Sequence, residues 1–252
     1  MHILLVNDDG FDSPYLPLLA TAASRRGHRV SVSAPDTQQS GKAHSFTVFT
    51  PLMVTPSAME GAAEAWRVQG TPVDCARLGL MALCQEPVDL VISGINDGYN
   101  AGLATFLSGT VGAAREAAFS GHKALAVSIE AMADPRTAQL LADYAIRTAE
   151  KLMDYPLPPQ TVCNLNMPPV APEQLKAPVV APLNHDYYDD SYEQRVSPRG
   201  VTYFWLTFEK PLDHYAEGTD RWYLEKGHPT VTFLGTEPME QGKFADFPLP
   251  LK

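Results

Sequence analysis

The chain has 252 residues, 45% of them hydrophobic and 19% charged, which suits one large globular enzyme domain, or a domain with an appended arm. With 19 basic and 29 acidic side chains its net charge is −10, and this argues against binding a nucleic-acid polymer or an anionic membrane, since both demand basic surface. No run of about 18 apolar residues is present, the N-terminus reads as strand rather than secretory signal, and Cys75, Cys84 and Cys163 are too few for a disulfide framework and lack zinc-site spacing, so the expected compartment is cytoplasmic.

Residues 2–7 read as a buried strand that stops on Asn7-Asp8-Asp9-Gly10. Two adjacent carboxylates at a strand end ask for a cation. They would face opposite sides of an extended chain, but Gly10 can take positive φ and turn both toward one point. A solvated Asp-Gly turn is the alternative. Residues 14–26 read as a helix opened by Ser13 with Pro14 at its first position, and 28–34 as a second strand, completing a βαβ unit. The stretch 35–45 is long and polar enough to be a functional loop. Residues 46–55 look β-like. Thr71 or its neighbourhood caps a helix through Leu83, and 88–93 is another buried strand. A Gly- and Asn-rich loop covers 94–109, 111–120 reads as a helix ended by Gly121, 124–129 as a strand, and a helix lies near 135–153.

This alternation implies an α/β fold: a Rossmann-like, doubly wound, mainly parallel sheet covered on both faces. The pattern changes near Tyr155. A proline-rich, extended stretch runs from Pro156 to Pro182 around a strand at 161–166. Beyond it, 183–215 carries Tyr187, Tyr188, Tyr192, Tyr203, Phe204, Trp205 and Phe208 and reads as a C-terminal β-hairpin arm. A lone hairpin is marginal in water, so the arm is expected to mediate oligomerisation, as a homodimer or a dimer of dimers. The expected organisation is a catalytic core at 1–182, the arm at 183–215, and at 216–252 a short helix (219–226) and last strand (229–234) completing the domain or its interface.

In such a sheet the loops after the first, second and fourth of these strand segments converge at the carboxyl edge. They offer Asp8 and Asp9; Asp36, Ser40, His44 and Ser45; then Asn96, Asp97, Asn100, Ser108 and Thr110. Oxygen donors dominate, which suits one hard divalent ion, Mg²⁺ or Mn²⁺, rather than zinc or copper. Ser108-Gly109-Thr110 precedes a helical run, and free N–H groups at a helix start with two hydroxyls form an anion site for phosphate. Ordinary N-capping by Ser108 or Thr110 is the alternative.

These features resemble the survival protein SurE family of metal-dependent nucleotidases. The matching segments are VNDDG at 6–10, SGKAHS at 40–45, VQGTPVDC at 68–75, SGINDGYNAG at 93–102, SGTVGAAREAAFSG at 108–121, ALAVS at 124–128, NLNMP at 164–168 and SPRGVTYFWL at 197–206. The resemblance implies that Asp8, Asp9, Ser40 and Asn96 hold the metal. It also implies that Ser108, Gly109 and Thr110 receive the phosphate of a nucleoside 5′- or 3′-monophosphate. His44 stands where the family usually has Asn, so the second loop is expected to meet substrate differently. Phe11, Asp12 and Ser13 also depart from the usual apolar, alanine-containing sequence, and Gln38 and Gln39 replace a more basic stretch.

The expected reaction is phosphomonoester hydrolysis, with in-line positioning and charge stabilisation doing the catalysis. Asp8 is the candidate for orienting or deprotonating the attacking water. Asn100 assists at the phosphoryl oxygens, and His44 or His228 is a candidate to protonate the leaving alkoxide. Two other readings remain open from sequence: a metal-independent α/β transferase and a catalytically weak nucleotide-binding regulator.

Overall fold

The computed structural model describes residues 1–130, 135–186, 191–207 and 215–236. Strand β1 (His2–Val6) is buried along its whole length because both faces are covered, which is why its sequence is a continuous apolar run. Ile3 and Leu5 share the core on one side of the sheet with Leu16 and Leu19 of α1 (Tyr15–Arg25) and Leu141 and Ile146 of α4 (Pro135–Asp154). Leu4 and Val6 pack on the other, against α2 (Pro72–Leu78) and the alanines of α3 (Gly109–Phe119).

The remaining strands are β2 (Arg29–Pro35), β3 (Val54–Ser57), β4 (Glu64–Val68), β5 (Leu90–Asp97), β6 (Lys123–Ile129), β7 (Val162–Met167), β8 (Val179–Val180), β9 (Ser191–Val196), β10 (Thr202–Thr207) and β11 (Thr230–Leu234). The main sheet runs β3-β4-β2-β1-β5-β6-β7-β11-β8. It is mainly parallel, with β3 antiparallel to β4 and β11 antiparallel to β7. The expected α/β architecture is therefore present, and β2, β1 and β5 lie side by side as the loop argument requires. Strands β9 and β10 pair antiparallel in a separate two-stranded ribbon, the expected hairpin. Its Tyr192, Phe204 and Trp205 are exposed. Tyr187, Tyr188 and Phe208 lie outside the described residues.

Several elements differ in detail from the sequence reading. Residues 46–53 are irregular rather than β-like, and the strand begins at Val54. The backbone N–H and hydroxyl of Thr47 both donate to the Asp74 carboxylate (2.8 and 2.7 Å), so a side chain takes the place of a neighbouring strand. Strand β4 has no counterpart in the sequence reading; its EAWRV pattern is half polar because one side of this outer part of the sheet is only partly covered. The expected 71–83 helix is α2 plus a π-helical turn over Gly79–Leu83, with a Thr71–Asp74 capping box at its start. Strand β5 runs on past Ser93. Its register with β6 breaks there and resumes at Asn96 and Asp97, which carries both residues to the sheet edge. The C-terminal helix α5 spans Asp220–Glu225, and β11 lies between β7 and β8 inside the main sheet.

Candidate active site

Chain reversal after β1 is fixed at three points. Gly10 adopts φ +96°, and a side chain there would meet the Thr37 backbone at 3.2 Å. Asn7 Nδ2 donates to the Gly10 carbonyl (2.8 Å), and the Phe11 N–H to the Pro35 carbonyl (2.7 Å). The turn separates the tasks of the two carboxylates. Asp8, buried, takes the Thr110 N–H (3.2 Å) on one oxygen and the Thr110 hydroxyl (2.5 Å) on the other. Asp9 accepts the Asp97 N–H (3.1 Å) from the end of β5.

Both carboxyls hold their protons more tightly than usual. For Asp8 burial is the cause, opposed by the Thr110 bonds. For Asp9 burial and then the neighbouring Asp8 charge, with Asp97 adding to them, push the value up to about 7. The second loop approaches Asp8 through the Gln39 N–H, which donates to the Asp8 carbonyl (2.7 Å) and sets Ser40 beside the turn. Ser40 is exposed and its Oγ accepts from Gln38 (3.2 Å). Asn96 Nδ2 donates to the Gly98 carbonyl (2.6 Å), so the atom it could offer a cation is its amide oxygen.

These residues fit a hard divalent cation. The donors are carboxylate, hydroxyl and amide oxygens. Asp8, Asp9 and Asp97 gather negative charge in partly desolvated surroundings, and the buried Asn7 Oδ1 beside them lacks a hydrogen-bond partner. Among the described residues no group of three His, Cys, Asp or Glu side chains is placed to hold a metal ion by itself, so a cation here would also need hydroxyl or amide oxygens.

At the start of α3 the Ser108 hydroxyl accepts from the Val111 N–H (3.0 Å), a true N-cap, while its own O–H proton remains available to donate. Thr110 directs both its donors at Asp8. Gly109 is closely packed: a Cβ would sit 3.0 Å from Asp8 and from Pro72, and these neighbours would have to give way by a few tenths of an ångström. The N-terminus of α3 thus holds the Asp8 carboxylate itself.

Asn100 is buried in a polar cluster. Its N–H donates to Asn166 Oδ1 (2.9 Å), its Nδ2 to the Ser128 hydroxyl (2.9 Å), and its carbonyl accepts from Asn164 and Asn166. It anchors the third loop to β6 and β7. His44 is turned to α3, where it meets Glu116 (2.9 Å) and stacks on Phe119, while Arg77 donates to the other Glu116 oxygen (2.6 Å). His228 lies by β11, four strands along the sheet from β1, bonded to the Ala177 carbonyl.

The sequence reading gave no role to Glu116, Asn164, Asn166 or Asp220. A lone Glu inside an alanine-rich helix, and two asparagines at i and i+2 on a buried strand, were the available signals. For Asp220 of α5 the signal was the Thr219-Asp220 pair at a helix start: Asp220 accepts the N–H of Gly102 (2.7 Å) and of Asn184 (2.8 Å), joining the third loop to the root of the arm.

Comparison with known proteins gives one consistent result. The family model described as Survival protein SurE matches residues 3–190. A protein named 5'-nucleotidase SurE from Nitratidesulfovibrio vulgaris (strain DP4) is 40% identical over 234 residues, covering 93% of each chain. One of the same name from Prochlorococcus marinus (strain MIT 9303) is 36% identical over 257 residues, covering 98% of this chain and 95% of its own. The crystal structure of the SurE protein from Aquifex aeolicus superposes with a TM-score of 0.80 at 31% identity, covering 98% of this chain and 97% of that one.

Proposed function

The chain belongs to the survival protein SurE family, and from that premise we propose that it is a phosphoric monoester hydrolase acting on nucleoside monophosphates, a divalent-metal-dependent nucleotidase. The observation that carries this reading is the pairing of Asp8 with the start of α3. Thr110 at this helix N-terminus holds the Asp8 carboxylate by both oxygens and so presents it, already oriented, at the sheet edge where a cation would bind.

Asp8, Asp9, Ser40 and Asn96 would hold one Mg²⁺ or Mn²⁺. Such an ion supplies charge neutralisation at phosphoryl oxygens and lowers the pKa of a water. The residues of the chain do the positioning. Thr110 fixes both oxygens of Asp8, and Asp8 orients the attacking water. The Ser108 O–H donates to a phosphoryl oxygen, Gly109 gives close approach, and Asn100 holds the third loop so that Asn96 keeps its place. His44, in this reading, secures the second loop through Glu116 and meets the phosphate with its remaining ring nitrogen.

Phosphate release from nucleoside 5′- and 3′-monophosphates is expected to vanish in chelator and return with Mn²⁺ or Mg²⁺. Full activity in metal-free protein would sink the reading and favour a metal-independent transferase. Tight nucleotide binding without turnover in any metal would favour a regulator.

The arm carries the second part of the proposal. Two copies associate through residues 183–215, because Tyr192, Phe204 and Trp205 are exposed on a ribbon that pairs with no other strand among the described residues. Replacing 186–208 by a short Gly-Ser bridge should give a smaller species in light scattering; an unchanged mass refutes it. No helix among the described residues is long and apolar enough to cross a membrane, and a cytoplasmic location remains part of the proposed reading.

A further inference from the structure

Arg67, on β4, stands beside the metal loops without belonging to them. Its guanidinium is bidentate on Asp12, with Nη1 to Oδ2 at 2.7 Å and Nη2 to Oδ1. It reaches Asp36 at 3.6 Å and lies over the ring of Phe11, 4.3 Å from the centroid. Phe11 and Asp12 follow directly on the Asp8-Asp9-Gly10 turn. Asp36 opens the second loop, which leads to Ser40. One side chain therefore ties both ligand-bearing loops to a strand of the sheet.

We propose that Arg67 is a positioning residue that sets metal affinity by clamping the first loop to the second. This rests on the reading of Asp8, Asp9 and Ser40 as metal ligands. An exposed ion pair contributes little to global stability, and the Asp12 side chain is 76% exposed. Its use is geometric. A planar fork gripping a carboxylate at two points and stacking on a buried ring fixes orientation in a way an ammonium cannot. Ligands held in place before binding lose less entropy when the ion arrives.

Charge predicts the opposite effect for some variants, and this makes the clamp testable. Removing a cation near a metal site should tighten cation binding, whereas losing a clamp should weaken it. The double variant Asp12→Asn/Arg67→Gln removes one charge of each sign, so net charge is unchanged and only the clamp is lost. Mn²⁺ binding by the full chain, read as free Mn²⁺ by electron paramagnetic resonance, should weaken on the order of tenfold, as for other outer-shell changes. The Mn²⁺ needed for half-maximal phosphate release should rise in parallel, with turnover at saturating Mn²⁺ changed little.

Arg67→Lys keeps the charge and loses the fork, so it should also weaken binding. Asp12→Asn, at an exposed position, provides a second variant with little risk to folding and should do the same. Wild-type Mn²⁺ binding in the double variant, or normal binding in Arg67→Lys, overturns the proposal. A wild-type chain that binds Mn²⁺ but releases no phosphate from nucleoside monophosphates defeats the nucleotidase reading instead, and the binding comparison still decides the clamp.

Discussion

Thr110 donates both its backbone N–H and its hydroxyl to the Asp8 carboxylate, one to each oxygen, so the first turn of α3 and the turn after β1 form one unit. Thr110→Val keeps the N–H bond and the side-chain volume but removes the hydroxyl donor. Mn²⁺ affinity should fall by about 10–100-fold, as when a ligand loses its supporting hydrogen bond, and Thr110→Ser should restore most of it. Unchanged affinity in Thr110→Val, measured by titration calorimetry, would mean that Asp8 is not a ligand.

Gly112 lies in the middle of α3, where Ala is favoured over Gly by about 1 kcal/mol on propensity alone. A Cβ there would stand 2.3 Å from the Ala43 carbonyl oxygen and 3.2 Å from His44 Cα, both backbone atoms of the second loop. Backbone cannot yield as a side-chain tip can, so overpacking wins. Gly112→Ala should destabilise the protein by about 1–3 kcal/mol in urea unfolding. A stabilised variant would show that the second loop packs elsewhere.

Asp220 is fully buried and accepts from Gly102, Asn184 and Arg221 N–H groups. Asp220→Ala leaves two distant N–H groups without their acceptor, at a cost of about 1–3 kcal/mol each. Unfolding should be easier by several times the effect of an ordinary surface substitution. Hydrogen exchange should quicken at both Gly102 and Asn184; protection retained at both would refute the shared anchor.

Glu150 of α4 is held at about 2 by its bidentate bond to Arg26 and then by His28. Its folded pKa lies below the ordinary carboxyl value of 4.5, so the unfolded chain binds the proton more tightly. The stabilisation is fully present above pH 4.5 and is lost as pH falls from there toward 2. The pair is partly exposed, with side chains 43% and 29% accessible, so solvent screening keeps its contribution small. Glu150→Gln should flatten the stability profile in that acid window. An identical acid limb in both proteins would remove the assignment.

The layered architecture is legible in the amino-acid order, and so is the sheet edge at which the candidate site residues gather. Continuous apolar runs such as His2–Val6 are intelligible only as strands covered on both faces, and the polar segments after them must gather where parallel strands end. Local signals sufficed there, because period, turn residues and caps act over a few positions. Tertiary structure alone decided partners. Thr110, Ser108, Asn100 and His44 each carry donors and acceptors that several neighbours could satisfy. Folding gave Thr110 to Asp8, Asn100 to Ser128 and Asn166, and His44 to Glu116. Strand β4, the placement of β11 between β7 and β8, and the irregular 46–53 segment belong to the same class. Each is fixed by a contact across long sequence separation, where burial forces every polar group to find some partner while the sequence leaves open which one.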